Sequence, residues 1–209
     1  MISIAAIQQW LILHPGWVIA AIGGVSFMES FALLGIAVPG VAILAAAGFA
    51  AGATGIPLFG CLAAAWAGAV AGDGASYLLG RVFHADIKGT WPLRTHPQWI
   101  TDAERYFLRY GAWSVVIGRF VGPIRPVIPL VAGMLSMPAQ RFFLINLLSA
   151  LVWAPLYLAP GYWLGTAVGE QFAPPGLLIG GALAVSATGA LILWHQRHRF
   201  PPTTPPDSP

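Results

Sequence analysis

Of the 209 residues, 57% are hydrophobic and only 8% are charged, and the mean hydropathy is +0.75. A soluble domain carries about 25% charged residues, so this chain lacks the polar surface to fold in water and reads as an all-α polytopic membrane protein. The net charge of +3 lies in loops beside apolar tracts, where positive-inside bias accounts for it and nucleic-acid binding is not required.

Residues 1–13 show no basic n-region and no convincing cleavage site, so they read as mature protein and not as a signal peptide. The stripe Ile4, Ile7 and Leu11, with Trp10 and Trp17 near the headgroups, predicts a short interfacial N-terminal helix. From residue 14 to 199 the chain reads as a single transmembrane domain. Its first tract, 14–56, is too long for one helix and is interrupted at Gly35, Pro39-Gly40 and Gly48. A spanning helix takes about 20 apolar residues; 57–80 fits one, closing at Arg81. The connector 81–110 holds Arg81, Lys88, Arg94, Arg105 and Arg109, and its second part, "PQWITDAERYFLRYG", predicts an amphipathic helix with Trp99, Ile100, Tyr106 and Phe107 toward the membrane. The tract 111–135 is apolar but contains Arg119, Pro123, Arg125, Pro126 and Pro129. Residues 140–168 and 174–194 fit two further spans, and 200–209 is a proline-rich, disordered tail.

Charge parity gives the topology. The connector and the tail with Arg197 and Arg199 both belong on the cytoplasmic side. Three crossings between them would separate the two, whereas two keep them together. The tract 111–135 is therefore expected to enter and leave by one face as a re-entrant hairpin.

Four ionisable residues stand inside the apolar tracts: Glu29, Asp73, Arg119 and Arg125. Each would cost about 2.5–3.5 kcal/mol on a lipid-facing helix, so such groups face a bundle interior or a wet cavity and mark a substrate or ion path. The alternative is structural: an Arg119–Asp73 ion pair, or arginines that snorkel. Glu29 precedes the Pro39-Gly40 break by ten residues, and the arginines straddle Pro123. The endings "PGVAILAAAG" (39–48) and "PVIPLVAG" (126–133) correspond loosely. Broken, charged segments in both halves point to an inverted-repeat transporter with a site between the breaks. Two guanidinium groups suit a phosphate or carboxylate, and a buried carboxylate beside them is a candidate for proton coupling or gating. In "AGDGASYLLGR" (71–81), a direct role for Asp73 and a packing role stand level, with Gly68, Gly72 and Gly74 permitting close helix approach. The histidines have no metal-ligand spacing, and no phosphate loop, nucleophile elbow or zinc motif occurs. No metal, cofactor or catalytic residue is expected. The single cysteine, Cys61, excludes an intrachain disulfide.

Residues 25–170 resemble the DedA family, also described as the SNARE-associated or VTT-domain family. The likeness rests on Glu29 followed by Pro39-Gly40, on "GDGASYLLGR", on "RYGAWSVVIGRFVGPIRPVIPLVAGMLSM", and on Phe142 or Phe143, Asn146, Trp153 and "GYWLG". The resemblance implies a multi-pass bacterial inner-membrane protein with two re-entrant hairpins facing each other, about 27–50 and 111–135. Family members are implicated in returning undecaprenyl phosphate across the membrane, or in handling other phospholipids, with a link to the proton motive force. By motif match Glu29, Arg119 and Arg125 take the family's functional positions, with Asp73 in its Gly-Asp element. One position departs: an acid commonly follows the first Pro-Gly, and here Val41 does. The expected function is translocation of a lipid phosphate, with Arg119 and Arg125 on the phosphate and Glu29 and Asp73 coupling or gating. Partners are the lipid substrate and membrane lipids, with no nucleic acid and with a homo-oligomer left open. The competing readings are a proton-coupled exporter of small ions or drugs and a non-transporting assembly factor.

Overall fold

The computed structural model describes residues 13–35, 40–84, 86, 94, 97–120 and 125–168. The expected N-terminal interfacial helix (apart from Leu13), the third span at 174–194 and the tail lie outside the described residues. So do Pro39 and Pro123. Described residues form helices joined by turns, with no strand among them.

Helix α1 runs Pro15–Ser30 and opens on a proline at its first position, where a missing N–H is harmless. At 16 residues it is about 24 Å long, short of the ~30 Å hydrocarbon core of a bilayer. It stops well before the Pro39-Gly40 break. Nothing in "SFALLG" forbids a helix; the stop is imposed from outside, because the Ala32 N–H donates to Ser76 Oγ of a neighbouring helix at 2.8 Å. A turn over 31–35 follows, closed by the Gly35 N–H on the Phe31 carbonyl.

Helix α2, Gly40–Ala53, is the second short arm, and it ends on Gly55 in the left-handed region (φ +71). There the Ile56 N–H reaches Ala51 O and the Gly55 N–H reaches Gly52 O, the paired bonds of a Schellman stop. Pro57 then leads into α3, Leu58–Phe83, whose 26 residues extend ~39 Å. Amphipathic α4, Pro97–Tyr110, follows the connector. Its apolar face does not turn to the membrane as expected: Ile100 and Ala103 are buried, and Trp99, Tyr106 and Phe107 pack on the same protein cluster. Two short helices, α5 (Trp113–Gly118) and α6 (Val127–Met134), come next. The chain then turns through Ser136, Met137 and Pro138 into α7, Ala139–Val168, 30 residues and about 45 Å long. Among the described residues, helices α3 and α7 are the two that are long and apolar enough to cross a membrane.

The arms seat on the long helices through glycine. Helix α1 lies on α3, where Gly68 and Gly72 face the backbone of Gly23 and Phe27; α2 lies on α7, and α6 on α3. Gly133 of α6 lies on the Tyr77 carbonyl while Gly80 of α3 lies on Leu130, so a Cβ on either would strike backbone. The α2–α7 seam is built alike, with Gly52 on Tyr162 and Gly161 on Ala45. Small residues let backbones close to contact distance, which is how helices associate where lipid offers no hydrophobic drive. Two apolar clusters result. One surrounds α6, buried from Val127 to Gly133, with Tyr77 and Phe142; the other joins Ile22, Leu44, Ala65, Trp153 and Leu158. The outer face of α7, with Leu144, Leu148, Leu151 and Leu156, stays exposed, as a lipid-facing surface does.

Candidate functional site

Polar side chains gather between the arms and the two long helices. Glu29 stands in the last turn of α1, Asp73 midway along α3, Arg119 immediately after α5, and Arg125 two residues before α6. Glu29, Asp73 and Arg119 retain 4–6% exposure, and the Arg125 side chain 12%. Arg119 Nη2 donates to Asp73 Oδ2 and to Asn146 Oδ1 of α7, and Arg125 Nη1 donates to Glu29 Oε1. The structural alternative for Arg119 is therefore present as a contact, and Arg125 has a carboxylate partner as well. Two guanidinium groups and two carboxylates sum to zero formal charge.

Neighbouring groups hold these pairs in place. Asn146 donates from Nδ2 to the Val70 carbonyl at 3.1 Å, so its oxygen is turned toward Arg119. Arg119 thereby spans both long helices. The ring of Trp153 lies under the arginines, 4.6 Å from the Arg125 guanidinium carbon and 5.9 Å from that of Arg119. A desolvated cation on an aromatic face gains up to ~2 kcal/mol. Gly40 opens α2 directly against the Glu29 carboxyl, and a Cβ there would overlap it. This glycine is required by proximity, and it places the acid at a helix N-terminus, where backbone N–H groups favour negative charge.

Five buried polar atoms have no hydrogen-bond partner among the described residues: Glu29 Oε2, Ser30 Oγ, Arg119 Nη1, Arg125 Nη2 and the Trp153 indole Nε1. All belong to this cluster or adjoin it. Buried polar groups are normally satisfied, so free donors on both arginines mark a place that can receive an acceptor. No set of three His, Cys, Asp or Glu able to hold a metal occurs among the described residues.

The structure brings Glu29, Asp73, Arg119 and Arg125 together. It does not treat the prolines alike. Pro126 caps the start of α6, but Pro129 is the third residue within that helix and breaks nothing; in the first turn its absent N–H had no intrahelical partner to lose. Asn146 and Trp153 were not among the expected site residues. Both are neutral, and neither stands out in an apolar tract, although both lie among the residues that carry the family resemblance.

A VTT domain model matches residues 38–163, more than half the chain. The chain belongs to the VTT-domain (DedA) family. It is 38% identical over 154 residues to an uncharacterized membrane protein of Synechocystis sp., covering 70% of this chain and 68% of that one. It is 29% identical over 190 residues to the inner membrane protein YabI of Escherichia coli, covering 91% and 74%. An uncharacterized membrane protein of Buchnera aphidicola (subsp. Schizaphis graminum) is 33% identical over 150 residues, 72% of this chain, and the chain spans 60% of that relative's length. No solved structure matches. Family membership and the two long apolar helices make this a membrane protein.

Proposed function

We propose that this protein is a lipid transporter that carries a lipid phosphate, undecaprenyl phosphate foremost, across the bacterial inner membrane, and that it is not an enzyme. The observation behind this reading is the pair of buried arginines at the ends of short broken helices, each held by an acid from a different helix and each keeping a free N–H. Planar guanidinium donors match phosphate oxygens.

Helices too short to cross support two re-entrant hairpins. Their repeated joints support an inverted repeat: α2 and α6 both end in a Schellman stop, then an apolar residue, then proline, then a long helix. Exchanging α1, α2 and α3 for α5, α6 and α7 also maps the main helix contacts onto one another. In this reading the two hairpin ends meet at the charged cluster.

The neutral cluster sets the terms of transport. An anionic headgroup adds negative charge to a balanced site, so its arrival is matched by a proton on Glu29, which releases Arg125 to the phosphate. Asp73 holds Arg119 between the long helices meanwhile. The paired arginines also favour a second reading, a non-transporting assembly factor whose buried ion pairs are structural.

Headgroup accessibility in liposomes decides between them. Wild-type protein is expected to speed translocation of a lipid phosphate, faster with an imposed proton gradient, and Arg125→Ala to abolish it. Absence of flux from folded wild-type protein, or equal flux from Arg125→Ala, would sink the transporter reading.

A further inference from the structure

A second feature lies on the same hairpin and is not absorbed by the charged cluster. Between α1 and α2 a cavity of about 420 Å³ runs along the arms, lined by Val18, Ile22 and Val25 on one side and Ile43, Ala47 and Ala50 on the other. It exists because the arms lean apart, α1 onto α3 and α2 onto α7. Trp17, 65% exposed, and Thr54 stand at the end far from the charges.

The two walls converge on the acid. On α1 the stripe Val18–Ile22–Val25 steps by four and three residues, and the next step of four is Glu29. On α2 the stripe Ile43–Ala47–Ala50 steps back by three to Gly40, which touches the Glu29 carboxyl. Residues four or three apart share a helix face, so the trough, lined from Val25 and Ile43 to Trp17 and Thr54, points at the Glu29–Arg125 pair one further step along both helices. From Val18 to Glu29 that line covers ~16 Å, about half the ~30 Å hydrocarbon core. That is the reach of one hydrocarbon tail in one leaflet.

We infer that this trough is a tail-binding site, in which a single hydrocarbon chain of the lipid phosphate lies between α1 and α2 while its headgroup sits at Arg125. The inference deepens the function proposed above and rests on it. Its occupant is argued from the charged pair one helical step beyond one end and from the apolar lining between Val25 and Ile43 at that end and Thr54 at the other. Lipid tails would then not remain wholly in bulk bilayer during transport, and tail shape would contribute to selection. A tail already in hydrocarbon gains no hydrophobic free energy on entering the trough, so the site discriminates between chains by van der Waals fit, which only a chain of matching shape makes in full.

The test uses the full chain in phosphatidylcholine liposomes with a photoactivatable hexadecyl phosphate carrying a mid-chain diazirine. A hexadecanol probe with the same chain serves as the neutral control, and labelled residues are mapped by mass spectrometry. The expected labels fall on Val18, Ala47 and Ala50, about tenfold more with the phosphate than with the alcohol, and Ala47→Phe removes them. Should Ala47→Phe fail to fold, the wild-type map decides alone. Equal labelling by both probes, spread over Leu144, Leu148 and Leu151 of α7, would overturn the proposal. So would near-complete disulfide formation between Ala47→Cys and Ser186→Cys in a Cys61→Ala background, because the trough would then be covered by the chain's own 174–194 segment. Crosslinking of Ala47→Cys between two copies would overturn it in favour of a dimer interface. Trough labelling in protein that moves no headgroup supports the tail site and rejects the translocase. Arg125-dependent headgroup flux without trough labelling does the reverse.

Discussion

The two halves of this molecule share joints but not charge. In the first half α1 and α2 are arms of 16 and 14 residues, and the half contributes both acids, Glu29 and Asp73. In the second half α5 and α6 have 6 and 8 residues, and the half contributes both arginines together with the neutral Asn146. Each half alone would bury two like charges. Charge balance is reached only when the halves meet, so the ion pairs report correct assembly as well as, under the proposed function, a binding site. A buried pair is weak evidence for net stability, and free donors on both arginines argue that this one serves a ligand too.

The division can be broken at its charged seam with the largest effect. Asp73→Asn leaves Arg119 buried with only neutral amide oxygens as hydrogen-bond acceptors and is expected to cost about 3–5 kcal/mol, read as a drop in thermal unfolding temperature in detergent. Adding Arg119→Gln should recover much of that loss; if the double variant is no better than the single, the pair is not the cause. Next is the glycine seam. Gly133→Leu and Gly52→Leu each drive a side chain into facing backbone, and each is expected to cost at least the ~1–3 kcal/mol of ordinary overpacking. Equal losses would show that the α3–α6 and α2–α7 seams carry comparable weight; tolerance at either would show that seam to be loose.

Ser76→Ala comes third. It removes the acceptor for the Ala32 N–H, at about 1–2 kcal/mol for an orphaned buried donor, and hydrogen exchange at Ala32 should rise. Unchanged protection there would mean that Ser76 does not end α1. The smallest effect compares the two Schellman stops. Gly55 takes its left-handed φ freely, whereas Ser136 at φ 56 carries a Cβ in the same role. Ser136→Gly is expected to stabilise by roughly 0.5–1 kcal/mol, and Gly55→Ala to destabilise by a similar amount. Matching signs for the two would dissolve the equivalence of the joints.

The long helices were legible from residue patterns: 57–80 and 140–168 became Leu58–Phe83 and Ala139–Val168, because proline stands just before each and hydropathy is unbroken within. Amphipathic α4 was equally plain, since its charge periodicity is local. Its partner was not, because an apolar face looks the same whether it meets lipid or the buried α6 cluster. The four charged residues identified themselves by contrast with their surroundings. Asn146 and Trp153 escaped because the features that place them, an amide oriented by the Val70 carbonyl and an indole beneath two cations, depend on other helices. The loose pairing of 39–48 with 126–133 differs in register from the one the joints make. The joints set Gly133 against Gly52, one turn beyond Gly48, and the deciding bonds at Gly55 and Ser136 lie past the compared residues.

The bond from Ala32 to Ser76 has a consequence in time. As the chain is made, α1 emerges 44 residues before the hydroxyl that ends it. In lipid an N–H cannot wait without a partner, and the one at hand is the carbonyl four residues back. The nascent segment is thus best satisfied as one continuous helix through Leu33 and Leu34. Only the arrival of α3 offers Ala32 a different acceptor and lets the chain turn over 31–35. The order of synthesis thereby becomes part of its architecture.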